Sequence, residues 1–222
     1  MKATRFQTLE KLNTALVDLL AAEFTRVTPT PRLVMLSGGK TPLAAYAQLA
    51  ARGVTAEAHL HLCVSDERAV PPASPEHNAG QLAPLLRALR LPQERTLFPN
   101  TALPLAEAAQ AWHTQLSNFI ARGGRPSLGL LGLGADGHTA SLFTLDDVAR
   151  GHGALAQPVT RPAPPNRISV TVDLLEKFER LIFVVAGAEK QAMRDRLLHA
   201  PLTIPAGAAT ARAPRVECWF AV

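Results

Sequence analysis

Two rhythms of apolar residues alternate along the chain. Between residues 5 and 25, Phe6, Leu9, Leu12, Leu16, Leu19, Leu20 and Phe24 recur at helical spacing, which predicts one helix with a single apolar face. Pro29 and Pro31 break the pattern. RLVMLS (32–37) is a short apolar run and predicts a strand. GGKTP follows it, with Thr41 placed to cap the next helix, PLAAYAQLAAR (42–52), and Pro42 at that helix's first position. HLHLCV (59–64) predicts a second strand, which runs into SDER. A polar, proline-rich loop covers 70–77, and 78–90 and 104–121 read as helices. SLGLLGLG (127–134) is a third strand with ADGH at its end, and 145–165 reads mostly as loop. RISVTV (167–172) alternates like a strand, LIFVVAG (181–187) is a buried strand, AEKQAMRDRLLH (188–199) is a helix, and VECWFAV (216–222) is a closing strand.

Strands alternating with helices predict an α/β fold. The expectation is a single domain over 1–222, with a mostly parallel, Rossmann-like sheet and helices on both faces. SGGKTP, SDER, GADGH and AGAEK each come directly after an apolar strand. Ligands of open α/β sheets sit beyond the carboxyl ends of the strands, so these four segments are expected to share one pocket.

Composition narrows the partner. The 222 residues are 47% hydrophobic and carry a formal charge of +5, with 18 arginines against 5 lysines. The arginines are scattered and aromatic residues make up only 5%, so no basic stripe or stacking platform forms and no nucleic-acid partner is expected. Anionic small molecules suit this charge. Cys63 and Cys218 sit in apolar runs, without a CxxC pattern or a zinc-type cluster, so buried thiols and no metal are expected. MKATRFQTLEKLN has no apolar signal-like core and no apolar stretch approaches a membrane span, so the expectation is a cytoplasmic protein without membrane contact.

The glycine loop Gly38, Gly39, Lys40, Thr41 joins a strand to a helix start, where amides approach an anion. It is not a nucleotide P-loop, because that pattern needs glycine at 34 and the chain has Val34. Neither GxSxG nor HExxH occurs, and GLGADG matches a dinucleotide fingerprint only formally, after the third strand. Asp66, Glu67 and Arg68 are placed to orient sugar hydroxyls and a phosphate, or else form a solvated loop start with a local ion pair. In GADGH, His138 at a helix start would stay neutral and take a proton from water, with Asp136 fixing its tautomer. The plainer alternative is a helix-capping aspartate beside a half-buried histidine. Arg167 and Lys190 complete a cationic set able to hold a phosphate.

The succession SGGKTP, SDERAVP, LGLGADGHTASLF, PPNRISVT, VVAGAEK resembles the 6-phosphogluconolactonase family over positions 30–190, in order and spacing. That resemblance implies hydrolysis of 6-phospho-D-glucono-1,5-lactone to 6-phosphogluconate in the oxidative pentose phosphate pathway, with no metal and no organic cofactor. It implies that His138 activates the attacking water, that Asp136 lies beside it, and that Arg68, Arg167 and Lys190 bind phosphate and substrate. It also implies functional coupling to glucose-6-phosphate dehydrogenase, which makes the substrate. The chain departs from the family's usual GGSTP loop by carrying Lys40 in place of serine. Glucosamine-6-phosphate deaminases of the same wider group look like GxDGHIAFNEP here, with a glutamate five residues after the histidine. This chain has Phe143 there and no acid before Asp146, which argues for the lactonase. A non-catalytic sugar-phosphate sensor is the remaining alternative, and it has no use for the Asp136–His138 pair.

Overall fold

Thr8 divides the first amphipathic run. Its side chain accepts a hydrogen bond from the Lys11 amide at 3.1 Å and caps helix α1 (Leu9–Thr25), which leaves Lys2–Phe6 in front of it as strand β1. The predicted helix start at residue 5 is therefore corrected. A short edge strand that pairs only with a distant segment carries no local apolar signal. The computed structural model describes residues 1–221, and for Lys40 the backbone alone.

The chain continues through β2 (Arg32–Leu36), α2 (Lys40–Ala51), β3 (Leu60–Val64), β4 (Asp66–Arg68), α3 (Asn78–Gln81), α4 (Ala83–Ala88), β5 (Thr96–Leu97) and α5 (Leu105–Ala121). It then forms β6 (Arg125–Leu131), α6 (Leu145–Arg150), β7 (Ala156–Val159), β8 (Arg167–Val170), α7 (Val172–Leu175), β9 (Arg180–Ala186), α8 (Gln191–His199), α9 (Pro205–Ala209) and β10 (Val216–Ala221). Seven strands make one parallel sheet in the order β1-β10-β9-β6-β2-β3-β5, flanked by helices. The α/β expectation holds.

The apolar stripe of α1 buries Leu12, Leu16, Val17, Leu20 and Phe24, and that of α5 buries Ala108, Ala109, Trp112, Leu116 and Phe119. Each large side chain so buried contributes about 1.5–3 kcal/mol. Trp112 also places its indole N–H on the Leu97 carbonyl at 2.8 Å, so its one polar atom is satisfied in the core.

Two expectations need correcting, and a third holds with additions. RISVTV does not join the main sheet: β8 lies in a separate antiparallel sheet ordered β4-β8-β7. The segment 145–165 is mostly loop and turn as expected, with α6 and β7 as short elements inside it. A reciprocal capping box starts α6, with the Asp147 amide donating to the Thr144 hydroxyl and the Thr144 amide to the Asp147 carboxylate. Thr41 does not cap α2: Gly39 holds the cap position, and no side chain supplies a capping bond.

Sheet order locates the crevice. From β2 the chain moves outward to β3 on one side, whereas β6 lies on the other side and leads on to β9 and β10. The direction of winding therefore reverses between β2 and β6, and a ligand crevice opens beyond their carboxyl ends. Ser37-Gly38-Gly39 leaves β2 there, and Gly132-Leu133-Gly134 leaves β6.

Candidate active site

A cleft of about 350 Å³ occupies that switch point, with Ser37, Gly38, Gly39, Gly132, Leu133 and Gly134 on its walls. This is at the small end of the range for ligand sites. Asp66, Arg68, Asn78, His138, Phe143, Arg167 and Lys190 also face it. All four strand-end segments thus converge. A larger cavity of about 590 Å³ lies at the opposite, amino ends of β1 and β10, beside Lys2, Val216 and Glu217, and has no histidine.

The Asp136–His138 pair forms as the motif suggests, but on a different local structure. No helix begins at His138. Residues 135–142 make tight turns, with a bridge between Thr139 and Leu142 and with Ala140 at φ +49°, and the next helix is α6. The expected helix-dipole effect on the imidazole therefore has no source here, nor does Asp136 cap a helix. Instead Asp136 Oδ1 accepts from the His138 amide at 3.2 Å and lies 2.5 Å from His138 Nδ1. A carboxylate accepts only, so Nδ1 carries a proton, and in the neutral ring Nε2 carries the lone pair. Partial burial pushes the Asp136 carboxyl up, but the hydrogen bonds and charge of His138 outweigh it and hold the group below the usual carboxylate range. Gly134 makes this pair possible. A Cβ at that position would collide with His138 Nδ1 and with Asp136 Oδ1. On its other side, the His138 ring packs on Phe143 at 4.6 Å between centroids, and Arg161 stacks on Phe143 at 3.5 Å.

The cationic side of the cleft comes from the small sheet. Arg68 and Arg167 are directly opposite one another across the antiparallel β4–β8 pair. Like charges so placed repel unless an anion lies between them. Burial lowers the Arg167 pKa, and the charge of Arg68 adds to the effect. Among the described residues, neither arginine is bonded to a carboxylate. Arg68 Nη1 donates to the Glu76 carbonyl at 2.8 Å, and Arg167 Nη1 to the Pro165 carbonyl. Lys190 reaches the same cleft from the short turn before α8.

Asp66 also faces the cleft, but both its oxygens are held, by Ser65 Oγ at 2.8 Å and Ser141 Oγ at 2.6 Å. Glu67 is placed differently from the sequence expectation. It points away from the cleft and is fully buried. Adjacent residues of a strand face opposite sides, so Asp66 and Arg68 share one side and Glu67 takes the other. Thr41 lies in the first turn of α2 and is not among the cleft-lining residues, and the Lys40 side chain lies outside the described residues.

Sequence reasoning missed Ser37, Asn78 and Phe143 as cleft-lining residues. Asn78 is buried and donates its Nδ2 to the Asp66 carbonyl at 2.8 Å. It packs so tightly on Gly38 that a Cβ there would come within 2.5 Å of its side-chain oxygen. No local pattern marks it, because its place is set by a contact across the whole 69–77 loop.

The family model described as glucosamine-6-phosphate isomerases/6-phosphogluconolactonase matches residues 7–218. Human GDH/6PGL endoplasmic bifunctional protein is 34% identical over 77% of this chain, and the chain spans only 23% of that protein's length. Human 6-phosphogluconolactonase is 31% identical, over 78% of this chain and 70% of its own. The crystal structure of 6-phosphogluconolactonase from Thermotoga maritima superposes with a TM-score of 0.77 at 25% identity, covering 99% of this chain and 98% of the other. Fold, cleft and these likenesses agree, and the chain belongs to the glucosamine-6-phosphate isomerase/6-phosphogluconolactonase family.

Proposed function

We propose that the protein hydrolyses 6-phospho-D-glucono-1,5-lactone to 6-phosphogluconate, the lactone step of the oxidative pentose phosphate pathway. One observation carries the reading: a histidine with its Nδ1 committed to a carboxylate stands in a cleft that also holds two mutually repelling arginines. The first feature supplies a base and the second an anion site.

The 6-phosphate binds between Arg68 and Arg167, with Lys190 beside it, through charge-assisted hydrogen bonds. Held at that end, the lactone presents C1 to the glycine loops. His138 Nε2 accepts a proton from water as its oxygen attacks the carbonyl carbon, a role worth about 10²–10⁴-fold. Asp136 stabilises the imidazolium so formed. Backbone amides of the 37–39 and 132–133 segments, which line the cleft, stabilise the oxyanion, whereas the Gly134 amide is committed to the His138 carbonyl at 2.9 Å. Collapse of the tetrahedral intermediate breaks the ring C–O bond, and the imidazolium returns its proton to the departing oxygen. No metal or organic cofactor is needed for an ester this reactive.

Phe143 favours hydrolysis over the amine-releasing branch of the family. It fills the position where that branch carries glutamate, and it packs on the His138 ring instead. A cytoplasmic location suits the two buried free thiols, Cys63 and Cys218. A relative whose name joins GDH to 6PGL supports functional coupling to the dehydrogenase that supplies the lactone. The test is a paired assay of lactone hydrolysis and of ammonia release from glucosamine 6-phosphate. Acceleration of the first alone is expected. Ammonia release without lactone hydrolysis would overturn the reading.

A further inference from the structure

Glu67 is a fully buried ionisable group for which the proposed chemistry has no use. Its side chain has no exposed surface, yet among the described residues no lysine or arginine pairs with its carboxylate. Its partners are backbone groups. Oε1 accepts from the Arg68 amide at 2.8 Å and the Asn78 amide at 2.7 Å, and Oε2 from the Ala79 amide at 2.8 Å. The last two are N–H groups of the first turn of α3, which have no partner within their own helix. His77 Nδ1 lies 3.6 Å from Oε2 but accepts from the Gly80 amide at 3.0 Å, so it has no proton to offer the carboxylate. His77 Nε2 is bonded instead to Thr101 Oγ1 at 3.2 Å.

Glu67 thus ties together the two ends of the 69–77 loop. One end carries Arg68, whose guanidinium is further held by the Glu76 carbonyl within that loop. The other carries Asn78, whose side chain returns to the Asp66 carbonyl. Two cleft-facing residues, Arg68 and Asn78, are therefore held by a carboxylate that never reaches the cleft. Burying such a group without bonds is costly, and three amides at good distance are what allow it to stay.

We infer that Glu67 is a positioning residue: by clamping the Arg68 and Asn78 backbones it presets the arginine that grips the phosphate. It touches no substrate. The inference rests on the reading of Arg68 as a phosphate ligand and adds how that ligand is held in place before the phosphate arrives.

The test is a double-mutant cycle read by binding, not turnover. Wild type, Glu67→Gln, Arg68→Ala and the double variant are titrated calorimetrically with 6-phosphogluconate, and each is melted to confirm folding. Glu67→Gln keeps the size but sets an NH₂ against an amide donor. It is expected to weaken binding about tenfold in the wild-type background, and less than twofold when Arg68 is already absent. In turnover, KM should rise by a similar factor while kcat falls less than threefold. If Glu67→Gln does not fold, Glu67→Asp, which keeps the charge and shortens the reach, takes its place with a loss of about threefold. Equal losses in both backgrounds would overturn the inference, as would unchanged affinity in a folded Glu67 variant. A failure of Arg68→Ala itself to weaken binding would instead overturn the phosphate reading on which the inference stands.

Discussion

Replacing Asp136 by asparagine preserves shape and removes one charge. In the proposed mechanism the carboxylate has two duties toward His138: to hold the proton on Nδ1, and to stabilise the positive ring formed as water is deprotonated. The second is an electrostatic effect whose size can be bounded. Two unit charges about 4 Å apart interact by about 1 kcal/mol in water and about 4 kcal/mol at the effective dielectric of a protein surface site. The Asp136 side chain is 61% exposed and that of His138 29%, so solvent screening places the effect toward the low end. The resulting loss is about 1–2 kcal/mol of transition-state stabilisation, which is about 5- to 30-fold in kcat. Because Asp136 is not among the cleft-lining residues, KM should change by less than twofold. The assay is initial-rate hydrolysis of freshly generated lactone, corrected for spontaneous opening. A kcat within twofold of wild type would refute the reasoning, since the carboxylate would then neither orient nor stabilise the ring. A loss carried by KM alone would refute it equally, by placing Asp136 in substrate binding.

The same geometry sets two further outcomes. Arg167→Ala removes one of the two opposed arginines, so KM should rise about 10- to 100-fold, the worth of a charge-assisted hydrogen bond. Inorganic phosphate should also raise the melting temperature of wild type more than that of the variant, which differential scanning fluorimetry can read. Glu217, nearly buried and bonded to Arg180, Arg215 and Trp219, is pushed up by burial but held down further by those bonds, to about 2 from 4.5. A depressed carboxyl stabilises the fold above its unfolded pKa and loses that contribution as pH falls through its folded one. Urea midpoints should therefore drop between pH 4.5 and about 2, and the drop should be shallower in Glu217→Gln.

Much of the site was legible because its residues come directly after apolar strands. Strand ends are marked by a change of composition, and SGGKTP, SDER, GADGH and AGAEK each sit at such a change. Sheet order then does the rest, since β2 and β6 become neighbours only in the folded sheet. Less legible were elements whose stability comes from distant pairing. β4 is three charged residues long, with no hydrophobic rhythm, and exists because β8 lies beside it. The direction of Glu67 depends on that strand, so grouping Asp66, Glu67 and Arg68 together as ligands concealed that Asp66 and Arg68 face the cleft and Glu67 does not. His138 presented the reverse difficulty. A small-residue segment after it suggested a helix, but Ala140 in the left-handed region turns the chain back instead. The Asp–His pairing survives because it depends on the two-residue spacing and the bare Gly134, not on the conformation of residues 139–142.

The most direct measurement compares wild type and His138→Ala in disappearance of 6-phosphogluconolactone, generated in place and corrected for its spontaneous rate. Rapid hydrolysis by wild type is expected, with a kcat lower by about 10²–10⁴-fold in the variant and binding of 6-phosphogluconate retained. Equal acceleration by the two proteins would contradict the role of His138, and no acceleration by wild type would contradict the lactonase itself.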